Sequence, residues 1–332
     1  LLILLCGAAA TQAQTSYSVS GRIDDPEMEG RKVYMEVYDT HRHIDTATVR
    51  NGRFRFAGTA DHPYFARLDG EGNARYYANF VLEDSVLIDF DAHLPRSGGV
   101  LTGKFLAYTK EYYALIEEWQ ETVRSLRESI PTDFEQAEKE MTALDTLKAR
   151  LARVCRKWIA QEPDNGVGEV AWRDYTIDHC TPAEAKALYP RIGPFLQNLD
   201  FTKEQMKLLD ALENTSPGKP YADVAGIDMK GKTVRLSDYV GKGKYILVDF
   251  WAQWCGPCRQ ETEEYLAPLW EKYKGSNLTL VSIAVWDKLE LTRQFLAEKG
   301  YDWPQILDAG MEPMKQYGFD GIPHILLLAP DG

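Results

Sequence analysis

At 332 residues the chain is too long for one ordinary small domain, and two or three are expected. A content of 44% hydrophobic and 11% aromatic residues supports buried cores and excludes a disordered chain, while a net charge of -12 excludes a nucleic-acid partner, whose phosphates are met by basic patches. Five cysteines are too few for a disulfide scaffold, so the close pair at Cys255 and Cys258 reads as catalytic.

The first stretch, LLILLCGAAATQA over residues 1–13, is apolar and then small and polar. It is too short to span a bilayer and ends in residues suited to signal peptidase, so it reads as the remnant of a signal peptide cleaved after Ala13. The alternative, a buried N-terminal strand, lacks bounding turn signals. A lipid anchor on Cys6 is disfavoured by Leu5, which stands where a small residue is usual. Export places the chain in the periplasm or cell envelope, an oxidising compartment where a dithiol needs a reductant supply to stay reduced.

Residues 15–98 read as an antiparallel β-sandwich. Tyr17–Gly21 and Val33–Tyr38 alternate, Asn51-Gly52 signals a turn into Arg53–Phe56, and Tyr76–Leu82 with Ser85–Phe90 closes the region. Phe54 and Phe56 are expected to face one core. His41, His43 and Asp45 are expected in a turn between strands rather than around a metal.

The period changes over residues 101–214, which read as a helical segment of about four helices. Phe105, Tyr108, Tyr112, Leu115, Trp119, Val123 and Leu126 mark one amphipathic face, and Met141, Leu144, Leu147, Leu151, Val154 and Trp158 mark a second. Pro131 separates the two helices, and Thr132 with Glu135 reads as a capping box. The same box is read at Thr181 with Glu184, where Pro182 opens the helix, and at Thr202 with Gln205. Cys155 and Cys180 are either inert or bridged to each other after export.

Asn214–Pro220 (NTSPGKP) is dense in breakers and reads as a linker, so a third domain is expected over 218–332. There, strands at Thr233–Leu236, Tyr245–Phe250, Leu278–Val285 and His324–Leu328 alternate with helices at Cys255–Tyr273, Leu289–Lys299 and Pro313–Tyr317, an α/β pattern. Pro330-Asp-Gly332 reads as the tip of a hairpin, which implies a domain truncated at its last hairpin.

Within that domain, V-D-F-W-A-Q-W-C-G-P-C-R-Q-E runs from Val248 to Glu261. A buried strand ends in a loop, and a thiol stands where a helix starts. Free N–H groups and the helix dipole lower a thiol pKa there, which makes the exchange-active thiolate available. The C-x-x-C has no second C-x-x-C or His cluster beside it, so dithiol redox chemistry is favoured over a zinc site, and neither metal nor cofactor is expected.

These residues closely resemble the thioredoxin signature, and Y-G-F-D-G-I-P-H-I-L-L-L resembles the thioredoxin segment that carries the cis-proline, here Pro323. The leading G-I-D-M-K-G-K-T-V-R-L-S-D-Y, Glu261 three residues after Cys258, and the Asp287–Ile306 insertion look like the TlpA/ResA branch. The likeness covers roughly Pro220 to Gly332. Upstream, G-R-I-D, K-V-Y-M and N-G-R-F-R-F-A-G resemble a domain of unknown function found before thioredoxin domains in envelope proteins.

The resemblance implies a division of labour. Cys255 would be the attacking thiolate and Cys258 the resolving thiol, with Gly256 and Pro257 keeping the turn between them tight. Asp249 matches the buried carboxylate that takes and returns the proton of Cys258, and desolvation on an apolar strand would raise its pKa to suit. Glu261 matches the branch's active-site acid. Pro323 would be cis and leave the Ile322 backbone free for an extended substrate, and Trp254 would wall the site, with Trp251 in the core. A Gly-Pro dipeptide is also thioredoxin's, whose potential of about -270 mV makes it a reductant. Two positions depart from the pattern: Glu263 stands where a helix-kinking Pro is usual, and His324 replaces the Thr after the cis-proline, where it could tune the thiolate or cap the groove.

The expected protein is therefore multidomain, with an N-terminal antiparallel β-sandwich, a helical middle segment and a C-terminal α/β thioredoxin fold. Its expected activity is that of an exported thiol–disulfide oxidoreductase, reducing disulfide-containing envelope proteins with electrons from a membrane thiol-reductant donor, cytochrome c maturation being one such task. A peroxiredoxin-type peroxidase is the rival enzyme, disfavoured because Ala252 stands three residues before Cys255, where Thr or Ser is needed. A non-catalytic envelope scaffold with a vestigial thioredoxin domain is the other rival, disfavoured by the intact Cys255, Cys258, Asp249 and Pro323.

Overall fold

A computed structural model describes residues 14–129 and 133–332. Both the apolar leader at 1–13, including Cys6, and the Pro131 and Thr132 positions lie outside the described residues. Contacts divide the chain into two compact units, Leu1–Gln205 and Met206–Gly332.

The first unit opens with eight strands: β1 (Thr15–Arg22), β2 (Lys32–Val37), β3 (His43–Thr48), β4 (Arg53–Ala60), β5 (Phe65–Gly70), β6 (Tyr77–Val81), β7 (Val86–Asp89) and β8 (Leu94–Ser97). They form two four-stranded sheets, ordered β4-β1-β7-β8 and β3-β2-β5-β6. Alternation buries one side of each strand, so Val19, Val33, Met35, Leu68, Phe80 and Ile88 share one core with Phe54 and Phe56. Asn51 and Gly52 both have positive φ, as a tight hairpin turn requires. His43 and Asp45 lie on β3 and not in the expected turn, because their strand is held by β2 rather than by its own alternation. His41 bonds Glu36, His43 bonds the Thr46 hydroxyl, and Asp45 accepts from the Tyr17 hydroxyl and the Thr46 N–H.

The helices α1 (Val100–Ser129), α2 (Phe134–Gln161), α3 (Gly166–Asp178), α4 (Pro182–Leu188) and α5 (Pro194–Asn198) follow, and then α6 (Asp200–Asn214), which belongs to the first unit up to Gln205 and to the second from Met206 on. Phe105, Tyr108, Tyr112 and Leu115 bury the first half of the α1 face, and Leu147, Leu151 and Trp158 the second half of the α2 face, whereas Met141 is exposed. Asp133 caps α2, accepting from the Gln136 N–H. The Thr181–Glu184 capping box forms as expected, but Thr202 lies inside α6 and does not cap it. An acceptor near that helix start comes instead from β-sandwich residue Asp39, whose carboxylate takes the Phe201 N–H at 3.3 Å. Cys155 and Cys180 are free thiols, and burial pushes both up to about 12.

In the second unit, β9 (Ala225–Ile227) pairs with β10 (Thr233–Arg235). The main sheet is built from β11 (Tyr245–Trp251), β12 (Leu278–Ala284), β13 (Gln305–Ile306) and β14 (His324–Leu328), ordered β13-β12-β11-β14. The first three are parallel and β14 is antiparallel to β11. Ile246, Val248, Phe250, Val281 and Ile283 form its core, as near-continuous apolar runs do in sheets covered on both faces. The helices are α7 (Gly256–Glu261), α8 (Ala267–Tyr273), α9 (Leu289–Lys299) and α10 (Glu312–Tyr317). This is the thioredoxin-like arrangement that the sequence resemblance implies. Where that family kinks its helix with proline, the backbone between α7 and α8 passes through a π-helical turn over Thr262–Leu266. A π-bulge is another recognised source of helix irregularity.

Candidate functional site

The apolar run of β11 carries the chain up the middle of the sheet and releases it at Trp251. A short loop, Ala252–Trp254, then delivers Cys255 to the N-cap of α7, in an extended backbone conformation with φ -75° and ψ 104°. Its Sγ accepts the Cys258 N–H at 3.2 Å, so an otherwise unpaired amide of the first helical turn points at the sulfur. Gly256 opens the helix and Pro257 sits within its first turn, where a missing N–H removes no helical bond. Cys255 and Cys258 are joined in a disulfide with Cα atoms 5.3 Å apart. Cys258 is the more enclosed, at 1% exposure against 4%.

The Ile322–Pro323 peptide bond is cis, and the Ile322 carbonyl oxygen lies 3.7 Å from Cys255 Sγ. Trp254 is half exposed beside the dithiol, whereas Trp251 is buried and packs on Phe295. The site residues named from sequence therefore gather at one end of β11.

Asp249 lies two residues from the end of β11 and is 2% exposed. Burial is the main reason its carboxyl is pushed up to about 7, and the Glu261 charge adds to it, while the Ser282 hydroxyl bond works the other way. That hydroxyl donates to Asp249 Oδ2 at 2.9 Å and accepts the Trp303 indole N–H at 2.9 Å. Asp249 and Ser282 are direct partners across the β11–β12 ladder. Glu261 is half-buried, its own pKa raised by burial, and its Oε2 has no hydrogen-bond partner among the described residues. Asp249 can hold or pass a proton near neutral pH, and Glu261, raised by burial, is close enough for its charge to act on it.

His324, the residue after the cis-proline, is packed among aromatic side chains. Its ring stacks on Phe319 with centroids 4.1 Å apart, and burial holds its pKa below the ordinary histidine value.

Four residues around the site were not singled out in the sequence. Ser282 had a signal, as a hydroxyl enclosed by apolar residues in the run LVSIA. Trp303 and Asp287 had none. Asp287 accepts the Gln253 N–H at 2.8 Å and the Thr292 hydroxyl at 2.6 Å, tying the start of α9 to the loop before Cys255. Trp286, next to it, is exposed with positive φ.

Comparison with known proteins places these features in a family. Residues 217–332 match the model of the AhpC/TSA family, and residues 17–94 match a domain of unknown function (DUF4369). The thiol-disulfide oxidoreductase ResA of Bacillus thuringiensis is 30% identical over 132 residues, which are 40% of this chain and 70% of the relative. ResA of Bacillus subtilis is 28% identical over 120 residues, 36% of this chain and 65% of the relative. The chain thus spans about two thirds of the length of these relatives. Among solved structures, the thioredoxin domain of a thiol-disulfide oxidoreductase from Bacteroides vulgatus is 34% identical, covering 35% of this chain and 84% of that one with a TM-score of 0.32. With its C-terminal unit carrying the likeness, the chain belongs to the ResA-like thiol–disulfide oxidoreductases of the thioredoxin superfamily.

Proposed function

We propose that this oxidoreductase works in the cell envelope as a reductant of protein disulfides. The observation that carries the reading is the placement of Cys255 at a helix N-cap, its sulfur facing the Cys258 amide and the Ile322 carbonyl. In the reduced enzyme the Cys255 thiolate attacks one sulfur of a substrate disulfide. A mixed disulfide forms and the other substrate sulfur leaves as a thiolate, which takes up a proton. Cys258 then loses its proton to Asp249, with Glu261 as a second acceptor, and its thiolate attacks Cys255 Sγ. The substrate leaves as a dithiol, and the enzyme keeps the Cys255–Cys258 disulfide, having given up two electrons. A membrane thiol-reductant donor restores the dithiol.

The Gly256-Pro257 dipeptide, shared with thioredoxin, supports the reducing direction, and the signal-like leader supports an exported location. Among the described residues no helix is long and apolar enough to cross a membrane. Apocytochrome c is one fitting substrate, because haem attachment requires reduced cysteines. A peroxidase reading gains nothing from the site, where Ala252 occupies the position that needs a hydroxyl.

The test is reduction of insulin disulfides by the purified protein with dithiothreitol as donor. Turnover is expected, together with loss to the uncatalysed rate in Cys255→Ser and a trapped mixed disulfide in Cys258→Ser. Absence of turnover in the unmodified protein sinks the reductase reading. Proteins captured by Cys258→Ser in the envelope of producing cells identify the clients.

A further inference from the structure

Beside the dithiol the chain exposes more aromatic surface than the exchange chemistry requires. Trp254 is 48% exposed, and Trp286, in the turn between β12 and α9, is 49% exposed. The two rings meet edge to face with centroids 5.0 Å apart, and the Trp254 indole N–H donates to the Trp286 carbonyl at 2.8 Å. Trp286 holds φ 50°, in the left-handed region that bulky residues rarely adopt. Its surroundings enforce that conformation: its N–H donates to the Gly310 carbonyl at 3.1 Å, and Asp287 pins the next residue to Gln253 and Thr292.

Among the described residues, the hydrogen bonds of Trp286 use its backbone. Glycine would supply the same carbonyl and N–H without strain. Core packing does not account for a ring that is half in solvent, so what the position holds is an indole against Trp254, the residue before Cys255. Backbone strain kept at such a place points to a role for the side chain.

We propose that Trp286 is a specificity-determining residue of the exchange reaction. With Trp254 it forms an apolar ledge for an aromatic or long aliphatic side chain next to the reducible cysteine of an extended substrate. The Ile322 carbonyl, 3.7 Å from Cys255 Sγ, offers that substrate's backbone an acceptor while the ledge takes its side chain. Aromatic pairs in edge-to-face contact add affinity beyond the area they cover, and tryptophan dominates small contact surfaces of this kind. The inference rests on the reductase reading and adds to it the chemistry of the preferred client.

The test uses two cyclic disulfide peptides that differ only in Phe or Ser beside one cysteine, with hydroxyethyl disulfide as a small substrate and dithiothreitol as donor. The unmodified protein is expected to favour the Phe peptide about tenfold in kcat/KM, mostly through KM. Trp286→Asn, which keeps a residue that tolerates the left-handed backbone, should erase the preference and leave hydroxyethyl disulfide turnover unchanged. Trp286→Phe should keep most of it. A preference that survives in Trp286→Asn overturns the inference, and so does an equal loss on all three substrates, which would mark the ring as structural. If the unmodified protein reduces both peptides equally, the ledge fails while the reductase reading stands; if it reduces neither, both fail.

Discussion

Asp249 is a carboxyl placed where its charge is costly. In the fold it keeps its proton up to about pH 7, whereas in the unfolded chain it loses it near its ordinary value of 3.8. Between those values the folded state binds more protons, so stability falls as pH rises through the window. Asp249→Asn removes that dependence and should stabilise the oxidised protein by about 2–4 kcal/mol at pH 8 while leaving it near neutral at pH 4. Urea unfolding at the two pH values measures this, and a variant no more stable at pH 8 would contradict a buried charge at this position. The same variant should slow release of the mixed disulfide, since Cys258 loses its proton acceptor. Asp249 was legible in the sequence because a charged residue inside Y-I-L-V-D-F-W has apolar neighbours on both sides. Trp286 was not, because neither its exposure nor its positive φ is written in the residues around it.

At the scale of elements, sequence reading succeeded where one segment holds its own signals. The α7–α8 helix, β12, α9 and β14 all fall close to where periodicity and punctuation put them. It failed for β3, β5 and the two-residue β13, whose pairing partners supply the order. Thr202 was misplaced for the same reason, since the Phe201 N–H finds its acceptor 162 residues away at Asp39. A similar long-range constraint governs Gly318 after α10. Its φ is 73°, and an added Cβ would stand 2.3 Å from the Leu208 carbonyl oxygen and 2.3 Å from the Leu212 nitrogen. Gly318→Ala should therefore destabilise the protein by more than about 2 kcal/mol. Gly275→Ala, at φ 83° with nothing within 4 Å, should cost only about 1 kcal/mol. Thermal unfolding of the pair separates clash from backbone preference, and equal costs would refute the clash.

Across the molecule, the first unit is one body because charges from distant segments meet inside it. Arg173 on α3 bonds Asp39 after β2 and Glu169 on its own helix, with side-chain exposures of 12%, 4% and 0%. Its guanidinium also lies 4.0 Å over the Phe201 ring, and Glu169 accepts the Phe65 N–H from β5. Burial pushes Glu169 up to about 7 despite the arginine beside it. Arg173→Ala leaves the enclosed Asp39 carboxylate without its cation, drives Glu169 to its protonated form, and should cost about 3–5 kcal/mol, read by denaturant unfolding. A cost below about 1 kcal/mol would mean that the sheets and helices are joined by apolar packing alone.

The amino-acid sequence by itself determined the dithiol, the carboxyl behind it, the proline across from it and the class of each region. Each of these is encoded locally, in a motif or in the period of a single segment. Only the tertiary structure decided that Ser282 and Trp303 bond in series to Asp249, that Asp39 serves the start of α6, and that the Trp286 indole meets the Trp254 indole next to Cys255. Those pairings join residues far apart in the chain, and no local period or spacing records which distant side chain will arrive.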